Sequence, residues 1–477
     1  MLRRTEPEDM ERQERLKAPP VGIPVLPSRA RVGNFDEVLL PWTAEMVRTE
    51  ACRCLHCPEP PCVEACPVHV DIPEALRLAE AGDLHGAGRI FLSGNNLSEL
   101  CGRVCCQSGH CEGACSQVEE GRPPLAIGRI EAFLGDLAWK ENGRVAEPPP
   151  CSGHRVAVVG AGPAGLTVAE LLAAEGHKVT VFDQWPDGGG MLRYGLPRFR
   201  LDHALVRRRL AYLKGLGVEF VFNVRIGDES GVDDLLARGF GAVFLGTGPG
   251  LPEPAGIPGT HLRGVYDAAP FLVQSNVEQN LRPSSLEDPP EVGRRVVVIG
   301  GGDTAVDCSR TAVRLGASEV TCYYRREEGE APGNPRERGF ALEEGVTFEW
   351  RVAPVRIMGD ESASVREVEL ARTVPLGAGE RQRSGVQLVK GSEFRVSADT
   401  VVLAVGWRPD PSLLEETPGL EADEQGRLTV DPATGRTTRD RVWAGGGSVS
   451  GPGVLARAVA QGRVAARDIH ARLRGAG

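Results

Sequence analysis

Two stretches of the 477-residue chain share one pattern of hydrophobic and polar positions. "HRVAVVGAGPAGLTVAELLAAEGHKVTVFD" spans 154–183 and "RRVVVIGGGDTAVDCSRTAVRLGASEVTCYYRRE" spans 294–327. Each opens on a short unbroken apolar run, passes through a glycine-rich turn, continues as a helix and closes on a second apolar run. Such a run, bounded by glycine, suits a buried strand, so each stretch predicts a βαβ unit. "AVFLGTG" (242–248) and "TVVLAVG" (400–406) predict later strands that end beside a bound cofactor. Upstream of about residue 143 no such run occurs. That region carries amphipathic stretches such as "IPEALRLAEAGDLHGAGRIF" and predicts a small helical domain, followed by the proline-rich linker "NGRVAEPPPCSGH".

The turns add chemistry to the pattern. In the first, Gly160 permits a tight turn, Gly162 lets backbone approach a pyrophosphate, and Gly165 allows the helix to pack closely on the strand, with phosphate at the helix N-terminus. Asp183 ends the next strand, placed to accept a ribose hydroxyl; a structural turn followed by a solvated aspartate is the alternative. In the second, Gly300, Gly302 and Ala305 take the same places, but the strand ends in Arg325 and Arg326. Guanidinium groups there pair with a 2′-phosphate that a carboxylate would repel, which predicts NADP(H) over NAD(H); a solvated surface pair is the alternative. An acid in one unit and arginines in the other fit FAD in the first and NADPH in the second. The closing segment "RVWAGGGSVSGPGVLARAVAQGRVAARDI" returns after the second unit and aims its helix N-terminus at the flavin. The expected fold is therefore α/β with an N-terminal all-α domain and two Rossmann-like dinucleotide-binding domains, the second inserted in the first. The boundaries expected are 1–145 for the helical domain, 146–285 with 408–477 for the FAD domain, and 286–407 for the NADPH domain.

Ten of the thirteen cysteines crowd between Cys52 and Cys115. Cys54-x2-Cys57-x4-Cys62-x3-Cys66-Pro67 has the ferredoxin-type spacing, in which the last cysteine serves a different cluster from the first three, and Cys101-x3-Cys105-x5-Cys111-x3-Cys115 follows it. Thiolates supply the soft, negative ligands that cubane clusters require. Structural zinc, with His56 or His110 joining, is the alternative. Cys151, Cys308 and Cys322 are scattered and read as small buried hydrophobes. Nicotinamide yields two electrons as hydride and a cluster takes one, so a flavin between them is the chemical converter. No serine, cysteine or histidine stands out as a nucleophile or general base, and hydride transfer needs none.

Charge and composition narrow the setting. A formal charge of −10 argues against a nucleic-acid partner and favours a basic protein patch. "MLRRTEPEDMERQERLK" is too charged for a signal peptide, and the longest apolar stretch, near Val156–Ala169, soon meets Glu170, so a soluble cytoplasmic protein with no membrane partner is expected.

The motifs "EACRCLHC", "CGRVCCQSGHCEGAC", "AIGRIEAF", "GAGPAGL", "GGMLRYGLPRFRLD", "GGGDTAVDCSRTAVRLGA" and "YYRRE" resemble the small (beta) subunit of NADPH-dependent glutamate synthase over nearly the whole chain. Relatives of that family include the N-terminal half of dihydropyrimidine dehydrogenase, the large subunit of NADH-dependent ferredoxin:NADP oxidoreductase and sulfide dehydrogenase subunits. The resemblance implies two [4Fe-4S] clusters, one on Cys54, Cys57, Cys62 and Cys115, the other on Cys66, Cys105, Cys111 and Glu131. From spacing alone, a solvated helix residue is the alternative reading of Glu131. Cys52, Cys101 and Cys106 are left without a ligand role. The resemblance also implies flavin contacts at Ala161, Pro163, Ala164, Gln184, Gly190, Met191, Arg200, Gly406, Gly446, Gly447 and Val454, and nucleotide contacts at Gly301, Asp303 and Thr304. One departure stands out: the family's closing motif has an aspartate after two glycines, where this chain has Gly447, with Ser448 as a partial substitute and a weaker hold on FAD expected.

The chain shows no means of ammonia release or iminoglutarate reduction: it has no N-terminal cysteine nucleophile and no residues for an FMN barrel. The resemblance implies an electron-input subunit in a hetero-oligomer, passing electrons from NADPH through FAD and the clusters to a glutamate synthase large subunit. The alternatives are an NADPH:ferredoxin or electron-bifurcating oxidoreductase subunit, whose partner is ferredoxin or a small flavoprotein, and a non-catalytic redox adaptor.

Overall fold

The computed structural model describes residues 7–142, 149–228, 230–376 and 385–475. Residues 143–148 of the expected linker lie outside the described residues. The N-terminal region is helical. Asp71 caps Ile72–Glu80 (α1) through the Glu74 amide, and Asp83 caps Leu84–Gly94 (α2) through the Gly86 amide. Ser98–Val104 (α3) and Ile127–Asn142 (α4) then cross. They meet closely because small residues line the crossing. A methyl group on Gly135 would fall 2.7 Å from the Glu99 amide nitrogen, and one on Gly102 would strike the backbone of Ala132.

Arg155–Val159 (β1), Lys178–Phe182 (β2), Glu219–Val221 (β3), Ala242–Leu245 (β4) and Val442–Ala444 (β16) form a parallel sheet in the order β16-β4-β1-β2-β3. Its apolar runs are buried, as strands covered on both faces must be. Pro163–Ala174 (α5) covers one face, with Pro at its first turn. The final helix Leu455–Gly475 (α8) packs on α5, where a methyl group on Gly462 would lie 2.7 Å from the Ala164 carbonyl oxygen.

The second parallel sheet has the order β6-β14-β7-β8-β9, built from Val265–Asp267 (β6), Arg295–Ile299 (β7), Glu319–Tyr324 (β8), Thr347–Trp350 (β9) and Thr400–Leu403 (β14). Asp303–Arg314 (α7) follows its glycine turn. Val352–Gly359 (β10), Val365–Pro375 (β11), Val386–Leu388 (β12) and Phe394–Ser397 (β13) form an antiparallel sheet beside it. Because β16 returns to the first sheet, the second domain is inserted in the first. The chain leaves and re-enters through two short strands hydrogen-bonded to each other, Leu251–Pro252 (β5) and Trp407–Arg408 (β15). The outward boundary expected at 285–286 falls too late: β6 pairs with β14 in the second sheet. This strand escapes a pattern search because "VYD" is short and only half-buried.

His203 opens the helix His203–Gly215 (α6), which Asp202 caps by accepting the Ala204 amide at 2.8 Å. Its ring nitrogen Nε2 faces the Leu196 carbonyl oxygen at 3.1 Å, and burial pushes the imidazole pKa down to about 4. The unfolded chain binds a proton there near pH 6.5, so the unfolded state takes up protons between roughly pH 6.5 and 4 that the folded state refuses. Stability is expected to fall as pH drops through that window, by about 2–3 kcal/mol from this group. Urea titrations of the parent and His203→Gln at pH 7 and 4.5 check it: the variant should show the smaller decline.

Candidate functional site

Cys54, Cys57, Cys62 and Cys115 line one hollow whose remaining wall is mainly apolar, including Leu55, Pro60, Pro61, Leu76, Leu125 and Ile127. Burial pushes the Cys62 thiol up to about 12 and the Cys54 thiol up to about 11, and the neighbouring thiols add to both. Buried thiols such as Cys54 and Cys62 are stabilised as thiolates by nearby positive charge, which a cluster supplies. A second set gathers deeper. Burial raises Cys111, with Glu131, Cys66 and Cys105 among the charges that raise it further. Burial likewise holds Glu131 well above the carboxylate range, with Cys105 adding to it. The four cysteines of the first implied set thus line one hollow, and members of the second lie near enough to act on one another's charge. His56 and His110 are engaged elsewhere: His56 Nε2 lies 3.1 Å from Glu80 Oε2, and His110 Nδ1 lies 3.0 Å from the Cys106 carbonyl oxygen. Among the described residues no three His, Cys, Asp or Glu side chains close on one point as ligands of a single ion.

Sequence reasoning left two contacts of the second set unseen. A hydrogen bond from Cys101 holds the Cys105 thiol low against its burial, and the Ala456 backbone amide at the start of α8 assists. Asn95 Nδ2 donates to Glu131 Oε1 at 2.9 Å. Cys101 is buried, whereas Cys52 is exposed and Cys106 half-buried.

The first glycine turn lies at the end of β1. Gly160 has φ +101°, and a methyl group there would strike the Gly246 carbonyl; at Gly165 it would strike the Gly160 carbonyl. Gly162, the N-cap of α5, differs: no side chain caps the helix, and the nearest atom to an added methyl is the Gly190 Cα at 3.9 Å. Space and free helix amides are therefore left where a pyrophosphate sits. Gly190 has φ +50° and presses on Gly162, so both sides of this opening are glycine. Asp183 braces the turn, accepting the Ala161 amide at 2.6 Å and the Trp185 amide at 2.9 Å. Each of its oxygens keeps a lone pair for a ribose hydroxyl.

The second turn repeats this plan. A methyl group on Gly300 would fall 2.5 Å from the Ala404 carbonyl oxygen, and one on Gly301 would strike the Tyr324 ring, yet around Gly302, the uncapped start of α7, the nearest atom is 3.9 Å away. Asp303 accepts the Asn334 amide at 2.8 Å, and Thr304 stands beside it in the first turn. Arg325 is exposed and Arg326 half-buried just beyond β8.

Three expectations meet a different arrangement. Arg200 is buried in an ion pair with Asp307 of α7 at 3.0 Å, near Glu337, so it ties the two dinucleotide domains together. A carboxylate cannot simply replace Gly447, because its Cβ would lie 2.7 Å from the Pro249 nitrogen. Ser448 does not stand in for the missing aspartate: its hydroxyl donates to the Gly445 carbonyl at 3.1 Å and leans toward that of Leu245. Of the other implied contacts, Gln184 is exposed, Met191 is half-buried at the start of a short helix after Gly190, Gly406 has φ +131°, Gly446 has φ +77°, and Val454 directly precedes α8.

Two elements fix the helical domain on the flavin-side sheet. Arg209 of α6 is buried, bidentate to Glu99 of α3 at 2.7 and 2.8 Å, and lies over the Trp139 ring at 4.3 Å. Asn96 donates to Glu170 of α5 at 2.8 Å.

Two uncapped glycine turns on parallel sheets and a cysteine-bearing helical domain define a pyridine-nucleotide oxidoreductase with an iron-sulfur domain. Residues 31–143 match the family model described as dihydropyrimidine dehydrogenase domain II, 4Fe-4S cluster, and residues 154–462 match pyridine nucleotide-disulphide oxidoreductase. The chain is 39% identical over 460 residues to the glutamate synthase [NADPH] small chain of Escherichia coli, spanning 94% of this chain and 96% of that one. With the glutamate synthase [NADPH] small chain of Halomonas elongata it shares 40% identity over 452 residues, 93% of this chain and 94% of that one. The solved structure of Mycobacterium tuberculosis FprA in complex with NADPH shares the fold, with TM-score 0.56 and 22% identity over 68% of this chain and 85% of that one. The chain belongs to the glutamate synthase small-chain family. No helix among the described residues is long and apolar enough to cross a membrane.

Proposed function

We propose that this chain oxidises NADPH held at Gly300–Gly302 of the second turn, binds FAD at Gly160–Gly165 of the first, and delivers electrons one at a time through two [4Fe-4S] clusters to a partner subunit of the glutamate synthase large-subunit kind. Bound FAD supplies the conversion of a hydride pair into single electrons. The protein's share is placement: turns that admit pyrophosphates, α8 directed at the flavin, and a helical domain held against the same sheet. One observation carries the order of transfer. Cys105 of the second ligand set packs against the core that holds Leu455 and Ala456 at the start of α8. This supports the Cys66, Cys105, Cys111 and Glu131 set as the one next to the flavin. The hollow of Cys54, Cys57, Cys62 and Cys115 is then the exit. All thirteen cysteines are free of disulfides, as suits a reducing cytoplasm.

Anaerobic NADPH titration, followed by flavin absorbance and EPR, tests the reading: it requires flavin bleaching and then two cluster signals, and holoprotein without iron or flavin would overturn it. Adding a large subunit or ferredoxin to NADPH-reduced protein identifies the acceptor. Arg325→Ala is expected to lower kcat/KM for NADPH by about 10- to 100-fold while leaving that for NADH nearly unchanged, since a lost charge-assisted pair is worth about 1.5–3 kcal/mol. Equal losses for both nucleotides would remove the 2′-phosphate assignment.

A further inference from the structure

Glu131 is the only carboxylate in a ligand set otherwise made of thiols, and its helix alone does not fix how its two oxygens point. Asn95 does. This residue ends α2, is 1% exposed and uses both halves of its amide. Oδ1 accepts the Leu97 amide at 3.1 Å, which anchors the side chain to the turn leading into α3. Nδ2 donates to Glu131 Oε1 at 2.9 Å. One side chain therefore bridges the turn before α3 and the carboxylate on α4, at the place where the second ligand set assembles.

We infer that Asn95 is a positioning residue for the second cluster: it holds Glu131 through Oε1 and would favour Oε2 as the oxygen that meets iron. This inference rests on the reading of Glu131 as a ligand. Its physical basis is that an ordinary carboxylate can present either or both oxygens, and a buried donor that takes one lone pair of Oε1 tilts the choice toward Oε2. The amide also withdraws electron density from the ligand, so its loss lowers the reduction potential of that cluster, while the loss of orientation loosens the hold on iron.

The test uses the anaerobically purified holoprotein. Asn95→Asp keeps the acceptor for Leu97 and removes the donor to Glu131. Asn95→Ser keeps a hydroxyl that can accept the Leu97 amide but falls short of Glu131, and it serves should the aspartate variant not assemble. One of the two EPR signals is expected to change shape and titrate at lower potential, with the other signal and the flavin content as in the parent. Chelator removal of iron from that cluster should accelerate about 10-fold or more. Signals, potentials and iron release identical to the parent in the variant that assembles would overturn the inference. Glu131→Ala separates it from its premise. If Glu131→Ala alters one signal and the Asn95 variants do not, the positioning role fails; if Glu131→Ala alters neither, the ligand reading itself fails.

Discussion

Arg209→Ala is expected to cost about 3–5 kcal/mol of stability and to slow electron passage from flavin to clusters. The guanidinium is fully enclosed, with both oxygens of Glu99 on one nitrogen and Glu170 within 3.4 Å. Burial works against its charge, and Glu99 and Glu170 outweigh that effect. Removing it strands the buried Glu99, leaves the half-buried Glu170 with only Asn96, and empties the space over Trp139. Glu99 stands two residues before Cys101 on the helix that leads to Cys105, so the loss loosens the segment carrying the flavin-side ligands. Lys is no remedy, because it lacks the fork that sets one nitrogen on Glu99 and the other 3.4 Å from Glu170. The measurements are denaturant midpoint and stopped-flow reduction by NADPH. Flavin reduction should keep most of its rate while cluster reduction lags, and a variant as stable and as fast as the parent would remove Arg209 from this role.

Gly102→Ala should abolish the second ligand set. The added methyl would strike the Ala132 nitrogen and lie 2.7 Å from the Gly128 carbonyl oxygen and 2.8 Å from the Ala132 Cα, all of them backbone atoms that no rotamer change can move aside. α3 must separate from α4, at about 1–3 kcal/mol for overpacking of this kind. Cys105 follows α3 and Glu131 lies on α4, so separation draws apart two members of one set. The purified variant is expected to hold about half the parent's iron and to lack one EPR signal, since each cubane carries four irons. Full iron content would show that the crossing tolerates the methyl.

These two positions separate what was visible in the sequence from what was not. Gly102 sits in "CGRVC", where nothing in the cysteine spacing marks it; only the crossing of α3 with α4 gives it a reason. Arg200 lies in a motif that the family resemblance assigned to the cofactor, yet its charge is claimed by Asp307 from the inserted domain. Gly447 departs from the family pattern, and the backbone at Pro249 shows that a side chain there needs a different loop path.

Local chemistry was determined by the sequence alone. Strand, turn and helix follow one another within each βαβ unit, so the glycines that must bend, admit phosphate or pack closely fall at fixed spacings, and the acid or arginines that follow mark the nucleotide. The cysteine spacings likewise announce cluster ligation, because those thiols come from short loops. Partnership across the chain was left to the tertiary structure. Cys115 joins Cys54, Cys57 and Cys62, Cys105 meets the start of α8, and Arg209 reaches Glu99, through contacts between segments far apart in sequence. Spacing cannot encode such contacts; the packing of α3 against α4 and of the helical domain on the first sheet decides them.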